Sequence, residues 1–257
     1  MCCFSRAIER VEETRIYARG EGARQLVVYE MKLTAEGELA MVLPIPVAPG
    51  TTQIELVDLS GSPYFFPALE VAFLTELVLS KQAQSRGGPM LAVQNVGAFE
   101  ASFVPTAADF DRLDPRFALP SSLWARIPEV QGFGFVVFKL REPPAPASFF
   151  DRMLGRRAPA APRAVHPMAF WFPRADPARL FFPTLHVHDG DVHAEADFDH
   201  VLYAQPSEAP EGWERSASAF DHAMAGPGKA LVLARTGARR TLEGTLPNRD
   251  TWLDDRG

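Results

Sequence analysis

The sequence predicts an α+β fold with a mainly antiparallel sheet, a few short helices and a Pro/Arg-rich insertion. Three observations support this class. Short segments rich in Val, Tyr, Phe and Leu either alternate in polarity or are apolar throughout, as β-strands are. Few segments are regular enough for helices, and most connections between strands are short. Proline and arginine are concentrated in one stretch, residues 142–164.

The first half of the chain is predicted to consist of strands separated by short helices. Arg24 to Leu33 alternates apolar residues on one face, as a strand does. Leu39 to Leu43 is a second apolar run, which we expect to end at Pro44 because proline cannot continue a central ladder. The next elements are a helix over 65–80, a strand pair or bent strand over 91–104, short helices near 106–109 and over 121–127, and a buried strand over 132–140.

Residues 142–164 interrupt this pattern with prolines and arginines on both sides of a short apolar group. Such a composition is typical of a semi-rigid, solvated connection. Regular structure is expected to resume at Val165. Near the end of the chain we expect a helix over 213–225 and strands over 229–235 and 241–245. Because no internal repeat is visible, we interpret residues 1–257 as a single domain with a flexible insertion.

Composition excludes several functional classes. The chain has 257 residues, with 26 Lys and Arg against 32 Asp and Glu, and a net charge of −6. A nucleic-acid-binding domain needs a basic surface to displace counterions from phosphates, so we expect no nucleic-acid partner. No apolar run approaches the roughly 20 residues of a membrane-spanning helix. Because charges at Arg6, Glu9 and Arg10 interrupt any secretory leader, we expect a cytoplasmic location.

The two cysteines, Cys2 and Cys3, lie side by side at the start of the sequence. Two cysteines are too few for a disulfide framework. Removal of Met1 would leave a free amine and a thiol on Cys2, the arrangement of an N-terminal nucleophile, so Cys2 is a candidate catalytic residue. Either thiolate could also ligate a soft metal ion. The simplest interpretation is a frayed terminus with two inert thiols, since chain ends are usually poorly ordered.

The most informative segment is 180–203, which contains four of the six histidines. Asp189-Gly190 is a typical type I′ turn sequence, so we predict a β-hairpin centred on it. Side chains alternate between the two faces of a strand, which gives this hairpin one polar and one apolar face. His200 falls on the apolar face and is expected to be a core histidine. The polar face pairs His188 with Asp191 and His186 with His193.

The polar face of the predicted hairpin suits a divalent transition metal. Opposed Cβ atoms lie about 4.5–5.5 Å apart, within reach of one ion. Neutral imidazoles and an ionised carboxylate bind zinc, iron, manganese or copper, and no organic cofactor is indicated. Residues 186–200 contain five acids and no basic residue, a charge of −5 that also favours a cation. The predicted ligands are His186, His188, His193 and Asp191, with Cys2 and Cys3 as further candidates.

Five segments also occur in a familiar order. They are Cys2-Cys3-Phe4, Ala40-Met41-Val42-Leu43-Pro44-Ile45-Pro46, Phe99 to Thr106, Gly132 to Leu140, and His166 to Pro173 followed by Phe181-Phe182-Pro183. Together they resemble an uncharacterised bacterial family, a domain of unknown function, whose members have an N-terminal Cys-rich start and a W-V-L-P-x-P-like segment. The resemblance covers about residues 1–185 and implies a shared fold. No catalytic residues are established for that family, so the resemblance implies no activity.

Three functions are therefore open at the level of sequence. The first is metal binding through the predicted histidine hairpin. The second is an N-terminal cysteine nucleophile hydrolase, which requires Cys2 to lie in a cleft with a low thiol pKa. The third is a non-enzymatic binding or scaffold module whose polar strand face meets a partner or only water. The sequence leaves open whether the chain is an enzyme and which protein or small molecule it binds.

Overall fold

Two β-sheets make up most of the structure, a computed structural model that describes residues 2–35, 37–74, 100–115, 117–140 and 163–255. The helices are α1 (Phe65–Val71) and α2 (Ser121–Ala125), with 3₁₀ helices at Ala107–Arg112, Pro128–Val130 and Gly226–Leu231. The strands are β1 (Cys2–Phe4), β2 (Arg10–Glu21), β3 (Arg24–Thr34), β4 (Leu39–Ile45), β5 (Glu55–Val57), β6 (Glu100–Val104), β7 (Gly134–Leu140), β8 (Arg163–Pro173), β9 (Arg179–Phe182), β10 (His186–Val187), β11 (Glu195–Ala204), β12 (Glu214–Ala219), β13 (Thr236–Pro247) and β14 (Thr251–Asp254).

Most strand neighbours in these sheets are antiparallel. The larger sheet has seven strands in the order β12-β13-β11-β2-β3-β8-β5, with only β11 and β2 parallel. The smaller sheet has five strands in the order β10-β1-β4-β7-β6, with only β1 and β10 parallel. Strands β9 and β14 form a separate antiparallel pair. A mainly antiparallel sheet with few short helices confirms the predicted class at this level.

The two sheets pack face to face around the main core, and each is also covered on its outer side. Strand β3 illustrates the layering, because Val27 and Tyr29 lie in the core between the sheets. The alternate residues Leu26 and Val28 pack on the other side against Phe65 of α1. A strand buried on both faces is apolar almost throughout, which is why Arg24 to Leu33 was recognisable in the sequence.

The outer face of the smaller sheet is covered by the short helices between residues 107 and 130. Trp124 of α2 packs on Phe135 of β7, with ring centroids 4.6 Å apart. Cys3 and Val187 are buried in this same outer layer. Because side chains alternate along a strand, the neighbours of Val187, which are His186 and His188, point to the opposite side, toward the larger sheet.

Several predicted elements differ from the structure. The helix predicted over 213–225 is wrong: Glu214–Ala219 form β12, because pairing with β13 overrides a weak local helical pattern. The strand predicted over 229–235 begins instead in the 3₁₀ helix Gly226–Leu231, which Pro227 initiates. Pro44 lies within β4 rather than at its end, because β1 pairs with β4 only as far as Val42 and leaves that side open. Residues 75–99 and 142–162, with most of the predicted insertion, lie outside the described residues, and residues 163–164 already belong to β8.

The hairpin predicted at Asp189-Gly190 is wrong. Strand β10 pairs in parallel with β1, while β11 pairs along its whole length with β13 and also with β2. Gly190 has the positive φ that the turn requires, 87°. The Asp189 carboxylate, however, accepts the amide N–H of Asp191 at 2.9 Å, and this Asx turn leads the chain away from β10. A two-residue β10 also offers β11 a far shorter ladder than β13 does.

A candidate histidine site between the two sheets

Three histidines meet between the sheets: His186 of β10, His188 just after it, and His200 of β11. We call these three residues the histidine cluster. The imidazole of His186 stacks on those of His188 and His200, with ring centroids 4.7 Å apart in each pair. The Nε2 atoms of His186 and His200 are 2.9 Å apart. Residues separated by more than ten positions in the chain thus form one compact group.

Strand pairing brings these side chains together. The pairing of β10 with β1 points His186 and His188 toward the larger sheet, as described above. Phe198 and His200 share one face of β11 because they are two residues apart. The ring of Phe198 lies 4.5 Å from that of His186 and 5.2 Å from that of His200, and Phe4 packs edge-on against His188 at 5.7 Å. Aromatic rings therefore shield the imidazoles from water.

Burial keeps all three imidazoles neutral at neutral pH. His200 is only 1% exposed and His186 is 8% exposed. Loss of hydration on burial, together with the neighbouring imidazoles, lowers the pKa of His186 to about 2 and that of His188 to about 4. Burial also lowers the pKa of His200, although the carboxylate of Asp199 opposes this. Neutral imidazole is the form that can ligate a metal ion.

Asp199 connects His200 to a strained turn of backbone in β2. Its Oδ1 lies 3.6 Å from Nδ1 of His200, which is an electrostatic contact longer than a hydrogen bond. Its Oδ2 accepts the backbone N–H of Glu13 at 2.6 Å. Glu13 has φ of 51°, a left-handed conformation unusual for a residue other than glycine, and lies in a β-bulge between Glu12 and Arg15. Strain of this kind occurs most often at functional sites.

Buried polar atoms around the cluster have no hydrogen-bond partner among the described residues. Two of them belong to the cluster itself, Nε2 of His188 and Nδ1 of His200. The third is Oγ1 of Thr14, which precedes Arg15 and therefore lies beside His200, since Arg15 pairs with Val201. Each unsatisfied buried group costs about 1–3 kcal/mol, so three around one cluster require an explanation.

Two of the four predicted hairpin ligands lie elsewhere. His193 is on the surface, where its Nε2 is 2.8 Å from Oδ2 of Asp189. Asp191 is also exposed and accepts a hydrogen bond from Arg126 at 2.9 Å. The structure therefore brings together His186 and His188, and adds His200, whose burial was predicted but not its contact with His186. The sequence did contain one indication of a role for His200, because it is the one titratable residue on the apolar face of β11.

The two cysteines differ in their relation to the cluster. The side chain of Cys3 is buried in the outer layer together with Val187, on the opposite side of the smaller sheet from the histidines. Cys3 is therefore not placed to ligate a metal held by the cluster. The backbone of Cys2 lies directly opposite that of His186 in the parallel ladder. The backbone at position 2 is thus next to the histidine cluster in the strand pairing.

Within the described residues, no group of three or more His, Cys, Asp or Glu side chains is already arranged to hold one metal ion. The nearest approach to such an arrangement is the pair of Nε2 atoms of His186 and His200. In the same part of the chain, no helix is long and apolar enough to cross a membrane.

Comparison with known proteins provides no relative from which a function could be transferred. No family model matches the chain, and neither a curated protein nor a solved structure matches it. The resemblance to a bacterial domain of unknown function therefore stays a prediction.

Proposed function

We propose that this protein binds a divalent transition metal ion at the histidine cluster, with Nε2 of His186 and Nε2 of His200 as the first two ligands. The observation that carries the proposal is the 2.9 Å separation of these two atoms in a buried site. These two donor atoms come from different strands, β10 and β11, and both belong to neutral imidazole rings.

The separation of the two nitrogens is close to what a metal requires. At a Zn–N distance of about 2.0–2.1 Å, two ligands of a tetrahedral ion lie about 3.3 Å apart. The two rings would have to separate by only about 0.4 Å to admit the ion, a shift that small side-chain rotations supply. On ligation, the proton that the two nitrogens share would move to Nδ1 of the same ring, which would leave both Nε2 atoms free to bind the ion.

A simple hydrogen-bonded histidine pair explains the site less well. One proton between the two Nε2 atoms satisfies those atoms but leaves Nε2 of His188 buried without a partner. If His188 rotated toward a shared ion, its Nε2 atom, which has no hydrogen-bond partner, would gain a bond to the metal. In a purely structural cluster, this unsatisfied atom lowers the stability of the fold. In a metal site, the same atom can serve as a further ligand.

The donor set narrows the choice of metal. Imidazole ligands suit zinc and copper better than manganese, which favours carboxylate and water. Because Asp191 is on the surface, it is not placed to supply the carboxylate ligand that manganese favours. Cys2, opposite His186 in the ladder, is the candidate fourth ligand, and a thiolate would strengthen the preference for zinc or copper further.

Asp199 has the position of a residue that orients a metal-ligating histidine. A histidine that ligates through Nε2 commonly directs its Nδ1–H at a carboxylate, which fixes the tautomer and the ring orientation. Burial raises the pKa of Asp199, but the contacts with His200 and with the amide of Glu13 outweigh it, so the pKa lies below its usual value. The resulting carboxylate carries the negative charge that would stabilise the cation beyond His200.

The test is a titration of purified, untagged protein with Co²⁺ followed by Zn²⁺. We expect one Co²⁺ per chain, with the visible absorption bands of a four-coordinate ion, and displacement by one Zn²⁺. The variant Cys2→Ser should lose the sulfur-to-cobalt charge-transfer band in the near ultraviolet while still binding the ion. If the wild-type protein binds neither ion tightly enough to compete with a weak indicator chelator, the proposal is wrong.

A further inference from the structure

A groove of about 560 Å³ lies on the surface next to the histidine cluster. Five apolar or aromatic side chains from several elements line it, Phe133, Phe198, Leu242, Leu246 and Trp252. Its size is within the range of about 300–1,000 Å³ that is typical of small-molecule sites. Three of the five side chains are aromatic, and these present flat faces and edges for an apolar ligand.

A glycine keeps the groove open above Phe198. Gly244 is the cross-strand partner of Phe198 in the ladder of β11 and β13. It has φ of +81°, and a Cβ added there would meet no atom within 4 Å, so position 244 faces open space. Leu242 and Leu246 flank this gap on the same strand. The strand thus supplies two apolar walls with an unfilled position between them.

The groove is lined by two arginines that do not pair with its two carboxylates. Arg240 and Arg249 both line it, both are exposed, and neither has an ion-pair or hydrogen-bond partner for its guanidinium among the described residues. Of the two carboxylates in the lining, Asp250 already accepts the backbone N–H of Leu185 at 2.9 Å. Glu129 is the other. The two guanidinium groups are therefore free to bind an added anion, and Glu129 and Asp250 give the lining an equal number of negative charges.

We infer that this groove binds an amphipathic organic anion, such as a carboxylate with an apolar body. The aromatic floor takes the apolar body, and Arg240 or Arg249 takes the anionic group by charge-assisted hydrogen bonds. Apolar walls with a few polar groups at the rim are the usual arrangement of such sites. This ligand site goes beyond the proposed metal site and does not depend on it.

Phe198 separates the groove from the histidine cluster. It lines the groove, and its ring is within 5.2 Å of the rings of His186 and His200. A ligand in the groove would therefore lie one side chain away from the proposed metal ligands. The two sites are adjacent but use different residues, so their experimental tests are separate.

The experiment compares two fluorescent probes that differ in one group. Anilinonaphthalene sulfonate has an apolar aromatic body and one negative charge, in which the sulfonate stands in for a carboxylate. N-Phenylnaphthylamine has the same aromatic body without the charge. We expect the folded, metal-free protein to bind one sulfonate probe per chain at least about ten-fold more tightly than the neutral probe.

Charge-removing variants then locate the site. Arg240→Gln/Arg249→Gln should weaken the sulfonate probe about ten-fold or more and leave the neutral probe unchanged. Arg10→Gln/Arg112→Gln removes the same charge at exposed positions outside the groove and should have no effect on either probe. Equal affinity for both probes, no binding, or equal weakening by both double variants would each overturn the inference. His186→Gln should bind the sulfonate probe normally, whether or not the metal proposal holds.

Discussion

The histidine cluster and the adjacent surface turn both contain histidine but have opposite environments. We define the surface turn as Asp189, Asp191 and His193. In the cluster, His186 and His200 are buried and His188 is half-buried, and the three imidazoles are stacked and uncharged at neutral pH. In the turn, His193 and Asp189 are each more than half exposed, and their hydrogen bond lowers the pKa of Asp189. Water screens the charges of the turn, whereas the cluster is uncharged and largely removed from water.

This contrast shows that burial, more than composition, determines what a histidine-rich segment can do. An exposed imidazole–carboxylate pair is already satisfied, by its partner and by water, and adds little to stability. A buried imidazole depends on the few groups around it, so a missing partner is costly and an added ion is worth more. The following predictions test the contrast by changing one region at a time.

The largest difference is expected for removal of a single imidazole. His200→Ala should lower the free energy of unfolding of the metal-free protein by about 2–4 kcal/mol, because it leaves a cavity and an unpaired Nε2 on His186. His193→Ala should change it by less than about 0.5 kcal/mol. Urea denaturation of both variants in the presence of a chelator measures this. Equal losses would mean that the cluster is no more important to the fold than the turn.

The next largest effect is the acid sensitivity of the cluster. His188 has a folded pKa of about 4, whereas the unfolded chain takes up the proton near pH 6.5, so its stabilising contribution is lost as pH falls through this interval. Between about pH 7 and pH 5, the unfolding free energy of His188→Gln should therefore fall by about 1–2 kcal/mol less than that of wild type.

The comparison with the variant is necessary because another buried group has the opposite effect. Burial raises the pKa of Glu30 to about 7, which makes the fold more stable as pH falls toward the normal pKa of a carboxyl. Glu30 is unchanged in both proteins and so does not affect the difference between them. Parallel pH profiles for wild type and His188→Gln would contradict the burial argument for this histidine.

A smaller effect is expected at the carboxylates of β11. Asp199→Asn should weaken metal binding about 10-fold or more and lower stability by about 1 kcal/mol, because Asp199 supports both His200 and the strained bulge at Glu13. Asp197→Asn is the matched control, since Asp197 is exposed like Asp199 but accepts the hydroxyl of Thr245 rather than the amide of Glu13. Isothermal calorimetry gives the metal affinities. If Asp197→Asn weakens the metal as much as Asp199→Asn does, the orienting role is wrong.

The smallest effect is expected in the surface turn. Asp191→Asn removes the ion pair with Arg126, whose side chains are 62% and 48% exposed. We expect a loss of less than about 0.5 kcal/mol that disappears at high salt, since exposed pairs are screened. Thermal or urea unfolding at two salt concentrations measures it. A salt-independent loss above 1 kcal/mol, on the order of a buried pair, would show that the turn is not simply a solvated surface.

The sequence predicted the features that depend on neighbouring residues, and it missed those that depend on distant parts of the chain. Strands such as β3 and β7 are buried on both faces, so their apolar runs were sufficient to identify them. The alternation along β11 also correctly placed Phe198 and His200 on a buried face. These patterns depend on a few neighbouring residues, which a sequence displays directly.

The partners of those strands could not be predicted in the same way. The turn sequence Asp189-Gly190 predicted a local hairpin, but β10 pairs with β1, which is more than 180 residues away in the chain. Pairing over that distance depends on the whole sheet, and no local signal specifies it. As a consequence, the polar face assigned to His193 and Asp191 was wrong, and the meeting of His186 with His200 was missed.

The Zn²⁺ affinities of two double variants test most directly whether the histidine cluster is the metal site. His186→Gln/His200→Gln removes the two nitrogens that approach each other, whereas His193→Gln/Asp191→Asn removes one imidazole and one carboxylate from the surface turn. We predict that the first variant weakens binding at least about 100-fold and the second less than about 2-fold. If the surface-turn variant lost more Zn²⁺ affinity than the cluster variant, or if both variants still bound Zn²⁺ tightly, the buried cluster would not be the metal site.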